Sequence, residues 1–190
     1  MSNKLPTNSQ PIPVFDGHND VLLRLMSSHQ EDPVTAFLQG PAAGQMDLPR
    51  IRQGGLAGGL FATYVPSPKD TAKNVPESAG LFVNHGTPSR DVARNTTFSM
   101  ISTLLRIEVA SAGQAKICRS VADIRHCMAT GTLAMVMHIE GAEALDPDLE
   151  LLEILHAAGL RTLGPLWSRP IFLAMASRSA FPLRRILVQD

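Results

Sequence analysis

The sequence predicts an α/β fold built on a parallel sheet, because strand-like and helix-like segments alternate along it. Leu56 to Val65 (LAGGLFATYV) is an apolar run closed by Pro66-Ser67-Pro68, the pattern of a buried strand and its exit loop. Leu133 to Ile139 (LAMVMHI) is a second run with no polar alternation, as expected of a strand covered on both faces. Between and after them lie stretches with apolar residues at helical spacing and with glycine stops.

Taken in order, residues 1–12 read as a flexible lead-in, rich in Pro, Asn and Ser. Pro13 to Asp16 is a short strand entry running into Gly17-His18-Asn19-Asp20. Val21 to Ser28 reads as a helix with Leu22, Leu23, Leu25 and Met26 on its apolar face. Residues 31–45 form a loop or short helix. A further short helix follows Met46-Asp47 and stops at Gly54-Gly55. Residues 67–90 read as a long loop. A long amphipathic helix covers about Val92 to Ala112, with Val92, Phe98, Ile101, Leu104, Leu105 and Val109 as its apolar positions. Ser120-Val121-Ala122-Asp123 has the form of a helix cap. Leu149 to Ala158 is the next helix and Arg161 to Trp167 the next strand.

Composition excludes several classes. Hydrophobic residues make up 44% of the 190 and charged residues 18%, a balance that favours a folded domain over a disordered chain. Seventeen basic residues offset seventeen acidic ones, so no net field draws nucleic acid or anionic membrane. The first thirteen residues hold no apolar signal core, and no run reaches the roughly 18 apolar residues of a spanning helix. Cys118 and Cys127 form no metal-knuckle or redox spacing and read as reduced thiols. A soluble, cytoplasmic protein without membrane anchor or nucleic-acid partner is the expectation. Nucleotide-binding glycine loops and GxSxG elbows are absent from the sequence.

Three residues stand out chemically. His18 and Asp20 lie two apart at a strand end, where period-two geometry turns both side chains one way. Imidazole and carboxylate together are half of a zinc-type site, although His-x-Asp also suits a plain surface loop. Glu140 ends an apolar strand just before a glycine. A carboxylate there is costly without a cation, a salt bridge or a capping role to compensate it. His138 shares its orientation and also suits a hydrogen-bonded core position. His29, His85, His126 and His156 read as ordinary loop or helix-end residues.

Phe15-Asp16-Gly17-His18-Asn19-Asp20, then Asp47-Leu48-Pro49-Arg50 with Gly54-Gly55 and Tyr64-Val65-Pro66, then His138-Ile139-Glu140-Gly141 with Leu149 to Gly164, resemble three successive blocks of the membrane (renal) dipeptidases. The resemblance implies a TIM-like (β/α) barrel with two zinc ions at the C-terminal ends of its strands. It implies zinc-dependent hydrolysis of dipeptides, with His18 and Asp20 as ligands of the first ion and Glu140 bridging both. The metal pair would polarise the scissile carbonyl and supply hydroxide near neutral pH. For the complete form, a homodimer stays open.

The sequence departs from the family pattern in two places. Trp167 stands where many members carry a histidine associated with substrate binding. The second-zinc histidines and a late aspartate lie beyond the third block, and no residue here matches them. A full barrel takes about 250 residues. Residues 13–170 are therefore expected to form the N-terminal half of a metallo-dipeptidase barrel, partial because the chain is truncated, with at most one well-formed zinc site and impaired or absent activity. Residues 171–190 are expected to be an out-of-frame tail. One permitted codon choice for Phe172 to Ser179 spells, in a shifted frame, the Phe-Gly-His-Gly-Val-Pro-Phe with which tryptophan-bearing relatives continue. The alternatives are another amidohydrolase-like, metal-dependent amide hydrolase or a non-catalytic metal-binding remnant.

Overall fold

The computed structural model describes residues 12–28, 31–68 and 87–166. The lead-in up to residue 11, His29, His85, Trp167 and the expected tail lie outside the described residues. Among those described, five strands and six helices alternate as β1 (Val14–Asn19), α1 (Val21–Ser27), α2 (Pro33–Gln39), α3 (Leu48–Gln53), β2 (Leu56–Tyr64), α4 (Arg90–Ala110), β3 (Ala115–Ile117), α5 (Val121–Thr130), β4 (Leu133–Glu140), α6 (Glu150–Ala158) and β5 (Leu160–Gly164). Every strand pairing is parallel, and β4 runs centrally with β2 on one edge. Its other edge is shared, with β3 against Leu133 to Met135 and β5 against Met137 to Glu140. This is an arc of a TIM-like (β/α) barrel.

Handedness of the crossovers decides which face each helix covers. The steps from β1 to β2, β2 to β3 and β4 to β5 all run the same way across the sheet, whereas the step from β3 to β4 runs back. Right-handed connections then place α5 on the face opposite to the other helices. The packing agrees. Met135, Met137 and Ile139 join the main core with residues of α1–α4 and α6, among them Leu22, Phe37, Ile51, Leu104 and Leu155. Ala134 and Val136 point the other way and pack with Cys118 and Cys127, and with Leu60 and Ile124 beside them. Helix α5 thus floors the face that carries His138 and Glu140.

The two cysteines are free and buried in that floor, their sulfurs 3.7 Å apart. Burial, reinforced by Cys127, pushes the Cys118 thiol up to about 12. It stays protonated in the core.

Local sequence explains most element ends. Ser120 caps α5 by accepting from the Asp123 amide at 3.1 Å, as the Ser-x-x-Asp pattern predicts. Asp47 caps α3 and is almost wholly buried. Burial alone would raise its carboxyl, but Arg50 and the amides of Arg50 and Ala42 hold it below the usual range.

Two expectations need correction. In α4 the buried residues are Ala93, Thr97, Met100, Ile101, Leu104 and Ile107, while Val92, Phe98 and Val109 are exposed. A helix has a single stripe against the sheet, and steps of three and four from Ala93 to Ile107 trace it, leaving those three off its line. Strand β3 is also absent from the sequence reading. Three residues between Gly113 and Cys118 are too short for a periodic signal, and only pairing with β4 makes them a strand.

Gly58 on β2 is hemmed in by β1 and β4. A Cβ there would stand 2.5 Å from the Ala134 carbonyl oxygen, 2.7 Å from the Ala134 Cβ and 2.9 Å from the Phe15 ring. The oxygen belongs to the ladder and cannot move aside. Gly58→Ala is therefore expected to destabilise the chain by about 3 kcal/mol, the upper end of overpacking. Urea unfolding of the two proteins checks this, and a midpoint unchanged by the substitution would contradict it.

Candidate metal centre

Strand β1 delivers His18 through an irregular register. Asp16 pairs with Gly59 and Asn19 with Phe61, so β1 carries one residue more than β2 over this stretch. A bulge of this kind re-aims side chains at a strand end. Two hydrogen bonds fasten it, from the His18 amide to Asp16 Oδ1 at 3.2 Å and from Asn19 Nδ2 to the Leu60 carbonyl at 3.0 Å. Asn19 is buried, and Gly59 leaves room for Asp16 and Asn19 against β2. Asp20 then occupies the N-cap of α1, yet its side chain makes no cap hydrogen bond. It turns instead to His18, with Oδ1 3.3 Å from Nε2.

Glu140 is the last residue of β4, opposite Tyr64 on β2 and Gly164 on β5. Its Oε2 lies 3.3 Å from the same His18 Nε2. One ligand atom each from His18, Asp20 and Glu140 falls within 4.8 Å of the others. Donors held about 2.0–2.2 Å from a tetrahedral zinc lie roughly 3.3–3.6 Å apart. The two 3.3 Å separations therefore suit a shared ion, and two carboxylates with one imidazole suit zinc or a similar divalent metal. All three sit at the C-terminal ends of strands, where barrel enzymes place their chemistry.

Glu140 is electrostatically uncomfortable without a cation. Burial pushes its carboxyl above the ordinary range; His18 opposes the shift, while Asp20 and Glu143 add to it. Gly141 follows at φ +88°, and a Cβ there would collide with the Glu143 carboxylate, so a second acidic group is tucked behind the first. Glu143 is itself buried.

His138 stands in the layer beneath Glu140, half-buried and outside the three-residue cluster. Its Nδ1 shares a 2.7 Å hydrogen bond with the Thr162 hydroxyl. Burial, then the neighbouring His18, depress its imidazole, and contact with Thr162 works the other way. The structure thus gives it the satisfied partner expected of a core histidine. His126 and His156 are exposed on α5 and α6, away from the cluster. Asn19, Glu143 and Thr162 were not distinguished by sequence; the register of β5 against β4 is the signal that would have found Thr162.

A family model for membrane dipeptidase (peptidase family M19) matches residues 7–183. The chain belongs to the membrane dipeptidase family. The matched range runs into the stretch expected to be out of frame. An uncharacterised protein of Acinetobacter calcoaceticus, encoded in the PQQ-III 3′ region, is 38% identical over 178 residues, covering 90% of this chain and 54% of the relative. A dipeptidase of family M19, solved as dipeptidase AC, superposes with a TM-score of 0.70 at 43% identity over 85% of this chain and 44% of its own. A metallopeptidase of Rhodobacter sphaeroides, solved with a phosphinate mimic of the dipeptide L-Ala-D-Ala, gives 0.70 at 42% identity over 84% of this chain and 46% of its own. The chain spans about half the length of these relatives. Family membership implies a bound metal. No helix among the described residues is long and apolar enough to cross a membrane.

The raised Glu140 carboxyl gives a signed prediction for this membrane dipeptidase family chain. A folded-state pKa above the unfolded one means that ionisation weakens the fold as pH rises through the unfolded value near 4.5 and on through the folded one. In metal-free protein, Glu140→Gln is expected to leave stability unchanged at about pH 4 and to raise it at pH 7. Thermal melts of both proteins across that range check the sign, and equal stabilities at pH 7 would contradict it.

Proposed function

We propose that His18, Asp20 and Glu140 are the protein ligands of a zinc ion in a metallo-dipeptidase site. The observation that carries this reading is the convergence of their ligand atoms within 4.8 Å at the C-terminal face of the sheet. Family membership supports dipeptides as the substrate class. When bound, the metal polarises the scissile carbonyl and acidifies a water. His18 and Asp20, locked by the bulge and the start of α1, supply a rigid side of the site. Glu140 supplies a carboxylate whose charge, made costly by burial, a cation would compensate.

A second reading shares the same site. The described residues offer three ligands in a single group, which suffices for one ion and leaves no set for another among them. If those residues alone hold the metal, the chain binds one ion and turns over dipeptides weakly or not at all, since a two-metal clamp needs both ions.

Metal analysis and calorimetry distinguish the outcomes. The purified chain is expected to hold about one zinc, and His18→Ala or Asp20→Asn to weaken it at least ten-fold, a typical effect of disturbing a metal's ligation. No zinc bound by the folded parent would end the ligand assignment. Fast zinc-dependent hydrolysis of L-Ala-D-Ala by the 190-residue chain would end the second reading and leave the first standing.

A further inference from the structure

A line of side chains crosses the inward face one layer below the candidate ligands. His138 on β4 stands opposite Ala62 on β2 and Thr162 on β5. Ala62 is wholly buried. Its methyl is short enough for the rings of His18 and His138 to meet across the intervening strand. Their centroids are 5.6 Å apart and their planes 83° apart, an edge-to-face contact within the range such pairs prefer.

The nitrogen-bearing side of the His138 ring is directed elsewhere. Nδ1 is bonded to Thr162 Oγ1 at 2.7 Å. Cε1 and Nε2 lie 3.7 and 3.9 Å from where a Cβ at Gly164 would stand. This side of the ring therefore faces β5 and not the cluster of His18, Asp20 and Glu140. His138 is placed to brace a ligand and is not placed as one.

We propose that His138 is a positioning residue for the metal centre. Fixed by the Thr162 hydroxyl, its ring braces the imidazole of His18 and keeps Nε2 turned toward Asp20 and Glu140. Metal-ligating histidines commonly have their ring orientation fixed by an outer partner, most often a hydrogen-bond acceptor on the other nitrogen. The His18 side chain is 38% exposed, and its Nδ1 makes no hydrogen bond among the described residues, so the bracing ring supplies orientation that a second hydrogen bond would otherwise give. The metal arm of the test below rests on the zinc reading above; the other arm does not.

Three variants of the 190-residue chain test this. Thr162→Val removes the hydroxyl and nearly keeps the volume, Thr162→Ser restores a hydroxyl, and His138→Ala removes the ring. In metal-free protein, NMR is expected to show a cross-relaxation contact between the imidazole protons of His18 and His138. The contact should weaken in Thr162→Val and persist in Thr162→Ser. Zinc affinity should fall about ten-fold in Thr162→Val and more in His138→Ala, and Thr162→Ser should hold the parent's value. An unchanged ring contact in folded Thr162→Val, or an equal loss in Thr162→Ser, overturns the proposal. If the parent shows the hydroxyl-dependent contact but binds no zinc, the zinc reading falls and the bracing stands. If His138→Ala does not fold, the threonine pair decides.

Discussion

Seven consecutive pairs between β2 and β4, from Gly58 opposite Ala134 to Tyr64 opposite Glu140, fix where the inward side chains of the sheet point. A slip of one residue would exchange the two faces of β4, sending His138 and Glu140 into the helix-packed core and Met137 and Ile139 into the site. Burial opposes any such slip. Met135, Met137 and Ile139 are almost wholly buried against the helices, and exchanging them for an ionisable pair would desolvate charge without a partner. The ladder can form this tightly because Gly58 presents no Cβ to the Ala134 carbonyl.

The site inherits its geometry from that register and its cost from its own chemistry. Glu140 ends a strand whose deeper inward residues Ala134 and Val136 pack in the cluster with α5, Glu140 is itself part-buried, and Asp20 and Glu143 add negative charge nearby. Such a cluster is unfavourable for folding by itself and favourable for a divalent cation. Glu140, whose ionisation burial makes costly in the metal-free fold, is a carboxylate that a metal would compensate, a trade between stability and function common at active sites.

The two strands that carry the candidate ligands differ. Strand β4 delivers Glu140 by regular alternation from a buried central position. Strand β1 is an edge among the described residues, with Val14 and Phe15 exposed, and reaches the site only through a bulge held by Asp16 and Asn19. The regular strand needs no local device. The irregular one is held by two side-chain hydrogen bonds, and the His138 ring meets His18 edge-to-face beneath it.

The α/β class, the parallel pairing and the two main strands were legible in the sequence, because continuous apolar runs such as LAMVMHI can bury both faces only in a covered parallel sheet. His18, Asp20 and Glu140 were legible as candidates as well, since their spacing and their places at the ends of apolar runs are local properties. What tertiary structure alone decided is non-local. Strand β3 exists only through its pairing with β4, and α5 lies on the site face only because the chain steps back across the sheet to reach β4. The stripe of α4 follows from which side meets the core, so Val92, Phe98 and Val109 could not be excluded by hydrophobicity. Thr162 joins His138 through a register across 24 residues of chain, information that no window along the sequence contains. Sequence patterns encode what one segment needs; the partner that satisfies the need is set by how segments align.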